Sequence, residues 1–511
     1  MNKNFKWLYL VPLVLTACSS DDSETSIEEP VVIVSGEADF SKYIALGNSL
    51  TAGYSDNALY KRGQEQSYPK LLAEQFALAG GGEFSVPYTN DNTGGLLLGG
   101  NLIAQPRLFF NGSGPASLPG TPTTDITNPV SGPVNNMGIP GAKLYHLVAP
   151  GYGSVAGVAA GTANPYYVRF ASSASASVIQ DAVAQNATFF TLWIGNNDIL
   201  TYASSGGVGI DQTGNTNPAT YANNDITDPG VFANVYNQLL QALTANGAKG
   251  VVANIPDITT IPFFTFIKYN QLTQANLTIG GANQVAALNT QLYGPLKQAL
   301  TAFGSGDRIE LLSATGNNPM LMVDKTLPNL SAQLTAALTM AGYPPSQAAF
   351  LGSVYGQARQ TRPTDYILLS SSTEIGQNQT GVPTPFNIKG ITYPLQDHNI
   401  LIPSEVAMIQ NAANQYNATI ESLATQYNLA FVDAKAILSQ VNTTGIPYEG
   451  YTLKSEFIFG GAFSLDGVHP TGRGYALLAN KFIEAINTKY GSNLPLKKIS
   501  NYDILRSPQL P

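Results

Sequence analysis

Short runs of consecutive apolar residues alternate along the chain with longer stretches in which apolar residues recur every three or four positions. The runs KYIALG (42–47), ATFFTLWIG (187–195), KGVVANIP (249–256) and NLAFVDA (428–434) are of the first kind. They predict strands buried on both faces. The stretches 67–80, 231–249, 283–304, 404–428 and 471–491 are of the second kind, and several end at Gly or Asn. They predict helices with one buried stripe. Strand–helix alternation of this sort gives a parallel sheet covered by helices, so the expected fold class is α/β. Residues 82–133, 201–230 and 304–400 break the rhythm with Gly, Asn, Pro, Ser and Thr. They are expected to be insertions into a single domain spanning 41–490, followed by a tail over 491–511. No internal repeat is visible, and no linker separates two complete cores.

Composition narrows the class. With 511 residues, 44% hydrophobic and 11% charged, the chain has enough apolar sequence for a large core. A formal net charge of -8 without clustered Lys and Arg excludes a nucleic-acid partner. The first residues carry Lys3 and Lys6, an apolar run and then Leu15-Thr16-Ala17-Cys18. This predicts a secretory signal over 1–17, too short to span a bilayer, which takes about 20 residues. Cys18 is the one cysteine of the chain. Its setting resembles the lipobox of bacterial lipoproteins, which implies lipidation of Cys18 as the new N-terminus and anchoring to a membrane. The expected location is the bacterial outer membrane, at its outer face if the acidic stretch acts as an export signal. The Ser-rich, acidic sequence that follows predicts a solvated tether over 18–40.

Candidate chemistry begins in YIALGNSLTAGYSD (43–56). Ser49 falls just past the carboxyl end of the first predicted strand, where open α/β sheets bind ligands. Far along the chain, FSLDGVHP (463–470) holds Asp466 and His469 immediately before a predicted helix. An Asp three residues before a His can reach Nδ1, fix the tautomer and leave Nε2 free to take a serine proton. Acyl transfer also needs donors aimed at an oxyanion. Gly195-Asn196-Asn197-Asp198 places a side-chain amide at a strand end, and Asn136–Gly141 predicts a glycine turn whose bare N–H can approach a substrate. Other motifs lack their partners. Ser67–Lys70 has the Ser-x-x-Lys spacing but no Lys-Thr-Gly follows. Residues 151–157 lack the strand a dinucleotide loop requires, and residues 211–228 lack the spaced carboxylates of a calcium loop. His146 and His398 read as ordinary polar or packed residues.

In this order along the chain, GNSLTAG, GIPGA, GNND and DGVH resemble the four motif blocks of the GDSL, or SGNH, hydrolase superfamily, over roughly residues 40–490. The resemblance implies a three-layer α/β/α sandwich around a parallel sheet. It implies Ser49 as nucleophile, Asp466 and His469 as its relay, and an oxyanion hole from Ser49, Gly141 and Asn197, with no metal or cofactor. One position departs: the family's first block usually reads Gly-Asp-Ser-Leu, and residue 48 here is Asn, which keeps one acceptor and loses the charge. The expected activity is hydrolysis of carboxylic esters with short to medium acyl chains, or of acetylated glycans. A lipase or lysophospholipase of the same family, or a non-catalytic glycan-binding surface lipoprotein, are the alternatives. The apolar pieces 94–103 and 330–343 could form a lid, but packing of an insertion is the expected role.

Overall fold

The computed structural model describes residues 32–279 and 281–510. Cys18 and the signal expected over 1–17 lie outside the described residues. Five strands, β1 (Tyr43–Gly47), β2 (Asn136–Gly138), β3 (Phe189–Trp193), β4 (Lys249–Ala253) and β5 (Ala430–Val432), make one sheet in the order β5-β4-β3-β1-β2. Every pairing in it is parallel. All residues of β1 and β3 are buried, so both sheet faces are covered, as the uninterrupted apolar runs require. Each of the four predicted runs is a strand. The fifth, β2, lies in the segment expected to be only a glycine turn. Three residues are too few to show a period, and they become a strand because their backbone pairs with β1 from Ala45 to Gly47.

The helices that matter below are α1 (Ser49–Ala52), α2 (Tyr68–Phe76), α3 (Asn197–Ser204), α4 (Pro229–Thr244), α5 (Ser331–Met340), α6 (Pro345–Tyr355), α7 (Pro403–Gln426), α8 (Ala434–Asn442) and α9 (Gly472–Tyr490). All five stretches with helical spacing are helical. That over 283–304 is broken by a π-helical turn, Asn289–Tyr293, directly before Gly294-Pro295. Proline has no N–H to continue the ladder there. Helices α2 and α9 pack together, as do α4 and α7, and both α7 and α9 touch β4 and β5.

The expected insertion over 304–400 is larger and more independent than its composition suggests. A second buried cluster runs from Ile267 to Ile402, takes in Tyr293, Leu296 and Leu300 of the broken helix, and is separate from the core around the sheet. Helices α5 and α6 pack on each other within it. Arg359, buried there, donates to Asp324 at 2.7 Å and to both oxygens of Asp365 at 2.6 and 2.8 Å. The boundary moves because apolar spacing reports that a helix has a buried face and not which core buries it.

Both ends of the body are also tied down further than expected. The tether expected to reach residue 40 ends earlier, since Ala38 and Phe40 are buried and Phe40 stacks on Phe76 at 4.1 Å. In the tail, Leu494, Ile499 and Arg506 are buried.

Candidate active site

Strand register brings the distant motifs together. Gly47 lies opposite Gly138 on one side and Trp193 on the other, so the residues just past β1, β2 and β3 emerge at the same edge. These are Ser49, the turn 139–141 and Asn196–Asn197. Glycine is required at 138, because a Cβ would stand 2.2 Å from the Ala52 backbone nitrogen of α1. Gly141 has φ +81°, a conformation that side chains resist, and a Cβ there would meet only the Asn164 amide, at 3.9 Å. Gly141 is exposed.

Ser49 is the first residue of α1. The Asn48 side chain caps this helix, accepting from the Leu50 N–H at 3.0 Å. A neutral amide oxygen serves that cap as a carboxylate would, so the missing charge leaves the turn intact. The Asn48 Nδ2 is buried without a partner. The Ser49 Oγ lies 2.9 Å from His469 Nε2, and His469 Nδ1 lies 2.8 Å from Asp466 Oδ2. Asp466 Oδ1 accepts from the backbone N–H groups of Val468 and His469, each at 2.8 Å. Burial pushes the Asp466 carboxyl up, but His469 and these N–H donors together outweigh it and bring it down to about 2. The carboxylate thus stays charged beside the ring. Tyr54 lies against His469, with ring centres 4.6 Å apart.

The donors expected to face an oxyanion are Ser49 and Gly141, on the β1–β2 side, and Asn197, just past β3. The Asn197 amide donates one N–H to the Ala142 carbonyl at 2.9 Å. Among the described residues, the backbone N–H groups of Ser49 and Gly141 have no hydrogen-bond partner. Asp198, next in the block, is structural: it accepts from the Leu144 N–H at 2.9 Å and the Thr227 hydroxyl at 2.7 Å, tying the start of α3 to the segments at 144 and 227. Burial raises its carboxyl to about 6 despite Lys143 nearby.

On the other side of Ser49, over the carboxyl ends of β3 to β5, an apolar cavity of about 110 Å³ opens. Leu200, Ile258, Ile437, Leu438, Val441 and Leu477 contribute to its wall, and Ser49 and His469 stand at its rim. Ile437, Leu438 and Val441 come from α8, whose apolar spacing in sequence looks like any core-facing helix. Neither apolar piece considered as a lid reaches this wall. Residues 94–103 form a hairpin with Leu102 and Ile103 exposed, and 330–343 belong to the second core.

His146 and His398 stand apart from the relay. His146 stacks on Tyr152 at 4.6 Å and accepts from the Lys143 N–H, and burial together with Lys143 lowers it to about 4. His398 is more than half exposed and faces Glu374 at 3.4 Å. Three supporting groups carried no sequence signal: Tyr54, the Asn57 N–H that reaches Asp466 at 2.8 Å, and Asn164, which donates to the Pro140 carbonyl at 2.8 Å. Each acts across a break in the chain that no local spacing encodes. No protein-family model, curated protein or solved structure matches this chain.

Proposed function

We propose that the protein is a serine ester hydrolase of the GDSL, or SGNH, type, with the three-layer sandwich of that superfamily. The observation that carries the reading is the continuous relay Ser49–His469–Asp466, at 2.9 and 2.8 Å, standing between free N–H donors and an apolar cavity. In this reading His469 takes the Ser49 proton as Oγ attacks the ester carbonyl. The Ser49 and Gly141 N–H groups and the Asn197 amide hold the oxyanion, and the imidazolium then protonates the departing alcohol. Water repeats the sequence and releases the acid. Asp466 remains ionised throughout and stabilises the imidazolium.

The cavity supplies the acyl subsite. An engineered apolar cavity of about 150 Å³ takes benzene, so 110 Å³ has room for roughly four to five carbons beyond the ester carbonyl. The substrate is therefore a carboxylic ester with a linear acyl chain near hexanoyl. An acetyl group would leave most of this wall uncovered. Each methylene buried adds about 0.8 kcal/mol, which is close to fourfold in kcat/KM, until the cavity is full.

We further propose that the protein is an exported lipoprotein anchored to the bacterial outer membrane through Cys18. The mature N-terminal peptide then carries lipid mass, and a soluble chain starting elsewhere would refute the anchor.

The activity itself is tested with a fluorophosphonate probe and a series of aryl esters from acetyl to palmitoyl. Labelling at Ser49 and a rise in kcat/KM that peaks near hexanoyl support the reading. An unlabelled, folded protein rules it out.

A further inference from the structure

Behind the triad, the chain makes a two-residue turn with two non-glycine residues in left-handed conformation, Asp56 at φ +51° and Asn57 at φ +63°. Asp and Asn tolerate this conformation better than other side chains, yet it holds only where neighbours fix it. Reciprocal bonds between Ser55 and Ala58, at 3.0 and 3.1 Å, close the turn. From it three contacts go to the segment that carries the triad carboxylate. The Asp56 N–H donates to Ser464 Oγ at 2.9 Å, Asp56 Oδ1 accepts from the Leu465 N–H at 3.2 Å, and the Asn57 N–H donates to Asp466 Oδ2 at 2.8 Å. That last oxygen is the one facing His469 Nδ1.

What fixes the turn comes from the far end of the chain. Arg506, with its side chain fully buried, lies beyond α9, and its guanidinium donates to Asp56 Oδ2 at 3.1 Å, to Ser55 Oγ at 2.9 Å and to the Tyr60 hydroxyl. Its other terminal nitrogen donates to Gln66 Oε1 at 2.9 Å. The segment is held in turn by Asp503, which accepts from Arg62 at 3.0 Å and Gln66 at 2.8 Å, and by Arg107, which donates to the Ser507 carbonyl at 2.6 Å. Asp56 is 2% exposed, and a carboxylate buried to that degree needs a paired cation.

We propose that Arg506 is a positioning residue of the active site: through Asp56 and the 55–58 turn it sets the place of Asp466 and hence the orientation of His469. The inference rests on the hydrolase reading for its kinetic consequence and on geometry alone for its structural one. A planar fork that reaches Ser55, Asp56 and Gln66 at once is a task for arginine, since a lysine ammonium is a single point charge.

The test uses the full chain with Arg506→Gln and Arg506→Lys. Displacements of about 1 Å at a catalytic group cost up to about 100-fold, so Arg506→Gln is expected to lower kcat by about tenfold or more with KM held within about threefold. Proton NMR supplies a readout independent of substrate: the low-field signal of the His469 Nδ1–H bonded to Asp466 is expected to broaden or disappear in Arg506→Gln. Arg506→Lys keeps a cation at Asp56 and is expected to restore part of both. If Arg506→Gln does not fold, the double variant Asp56→Asn, Arg506→Gln removes both buried charges together and carries the same measurements. A folded variant with wild-type kcat and an unchanged His469 signal overturns the proposal, as does a loss of thermal stability alone. If the wild type neither hydrolyses esters nor reacts with fluorophosphonate, the hydrolase reading fails, while the NMR signal still decides the role of Arg506.

Discussion

The two flanks of Ser49 differ in chemistry. Toward β3, β4 and β5 the wall is aliphatic, from Leu200 through Ile258 to Leu438 and Leu477. Toward β1 and β2 it is built of turns and tyrosines: Gly141, whose N–H has no hydrogen-bond partner among the described residues, Tyr54 against His469, and Tyr166 with its ring centre 6.3 Å from that of Tyr54. An ester is asymmetric in the same way, with an apolar acyl chain on one side of the carbonyl and a departing oxygen on the other. In the proposed hydrolase, the acyl chain would lie on the aliphatic flank and the alcohol on the tyrosine flank. Binding energy on the acyl side should grow with chain length, whereas the tyrosine side should respond to the shape of the leaving group.

The most severe way to break this arrangement is to remove the groups that both flanks share. Ser49→Ala and His469→Ala are each expected to lower kcat/KM by about 10⁴-fold or more, and the double variant to be little worse than either, because the relay acts as a unit. Wild-type turnover in Ser49→Ala would dismiss the mechanism. Next in size is Asn197→Ala, which deletes one oxyanion donor and should cost about 10²–10³ in kcat with KM nearly unchanged. A rise in KM alone would place Asn197 in ground-state binding. Leu438→Trp then separates the flanks. Filling the aliphatic side should reduce hexanoyl hydrolysis about tenfold relative to acetyl, since about two methylenes lose their place. Equal losses on both esters would mean that the acyl chain lies elsewhere.

The two flanks also differ in how far they could be read from the amino-acid sequence. Ser49, Asp466 and His469 were legible because each stands beside a strand or helix end with a periodic neighbour, and such ends converge in a parallel sheet. The aliphatic cavity was not. Ala434, Ile437, Leu438 and Val441 have the spacing of a core helix, and only the placement of α8 after the short β5 leaves that face partly uncovered. β2 escaped for a related reason: Asn136-Met137-Gly138 has no pattern of its own and is a strand only by pairing with β1. The second core from Ile267 to Ile402 reaches beyond the insertion expected over 304–400, because apolar spacing does not tell which core buries a helix face. In each of these places tertiary contact, rather than local pattern, decides the outcome.

The smallest expected effect serves as a control on both flanks. Glu405 lies on the first turn of α7, where it accepts from the Ile402 N–H at 2.9 Å. Burial raises its carboxyl to about 7, helped by Asp397 and Asp324 and opposed by the Ile402 bond and Lys325. A group whose folded value lies above its unfolded value of 4.5 holds extra protons in the folded state between those limits. Its contribution to stability is complete below pH 4.5 and is lost as pH rises through 7. Glu405→Gln keeps the acceptor for Ile402 and removes the titration. It is expected to raise stability at pH 8 by about 1 kcal/mol, reduced from the full linkage value because the carboxyl is partly exposed, and to change nothing at pH 4. Thermal unfolding at the two pH values measures the difference. Glu405 touches neither flank, so the chain-length profile and the leaving-group response should match the wild type. An equal gain at both pH values would show that the substitution acts through packing, and a changed ester profile would show that the seam between α7 and the loop at Gly207 is coupled to the active site.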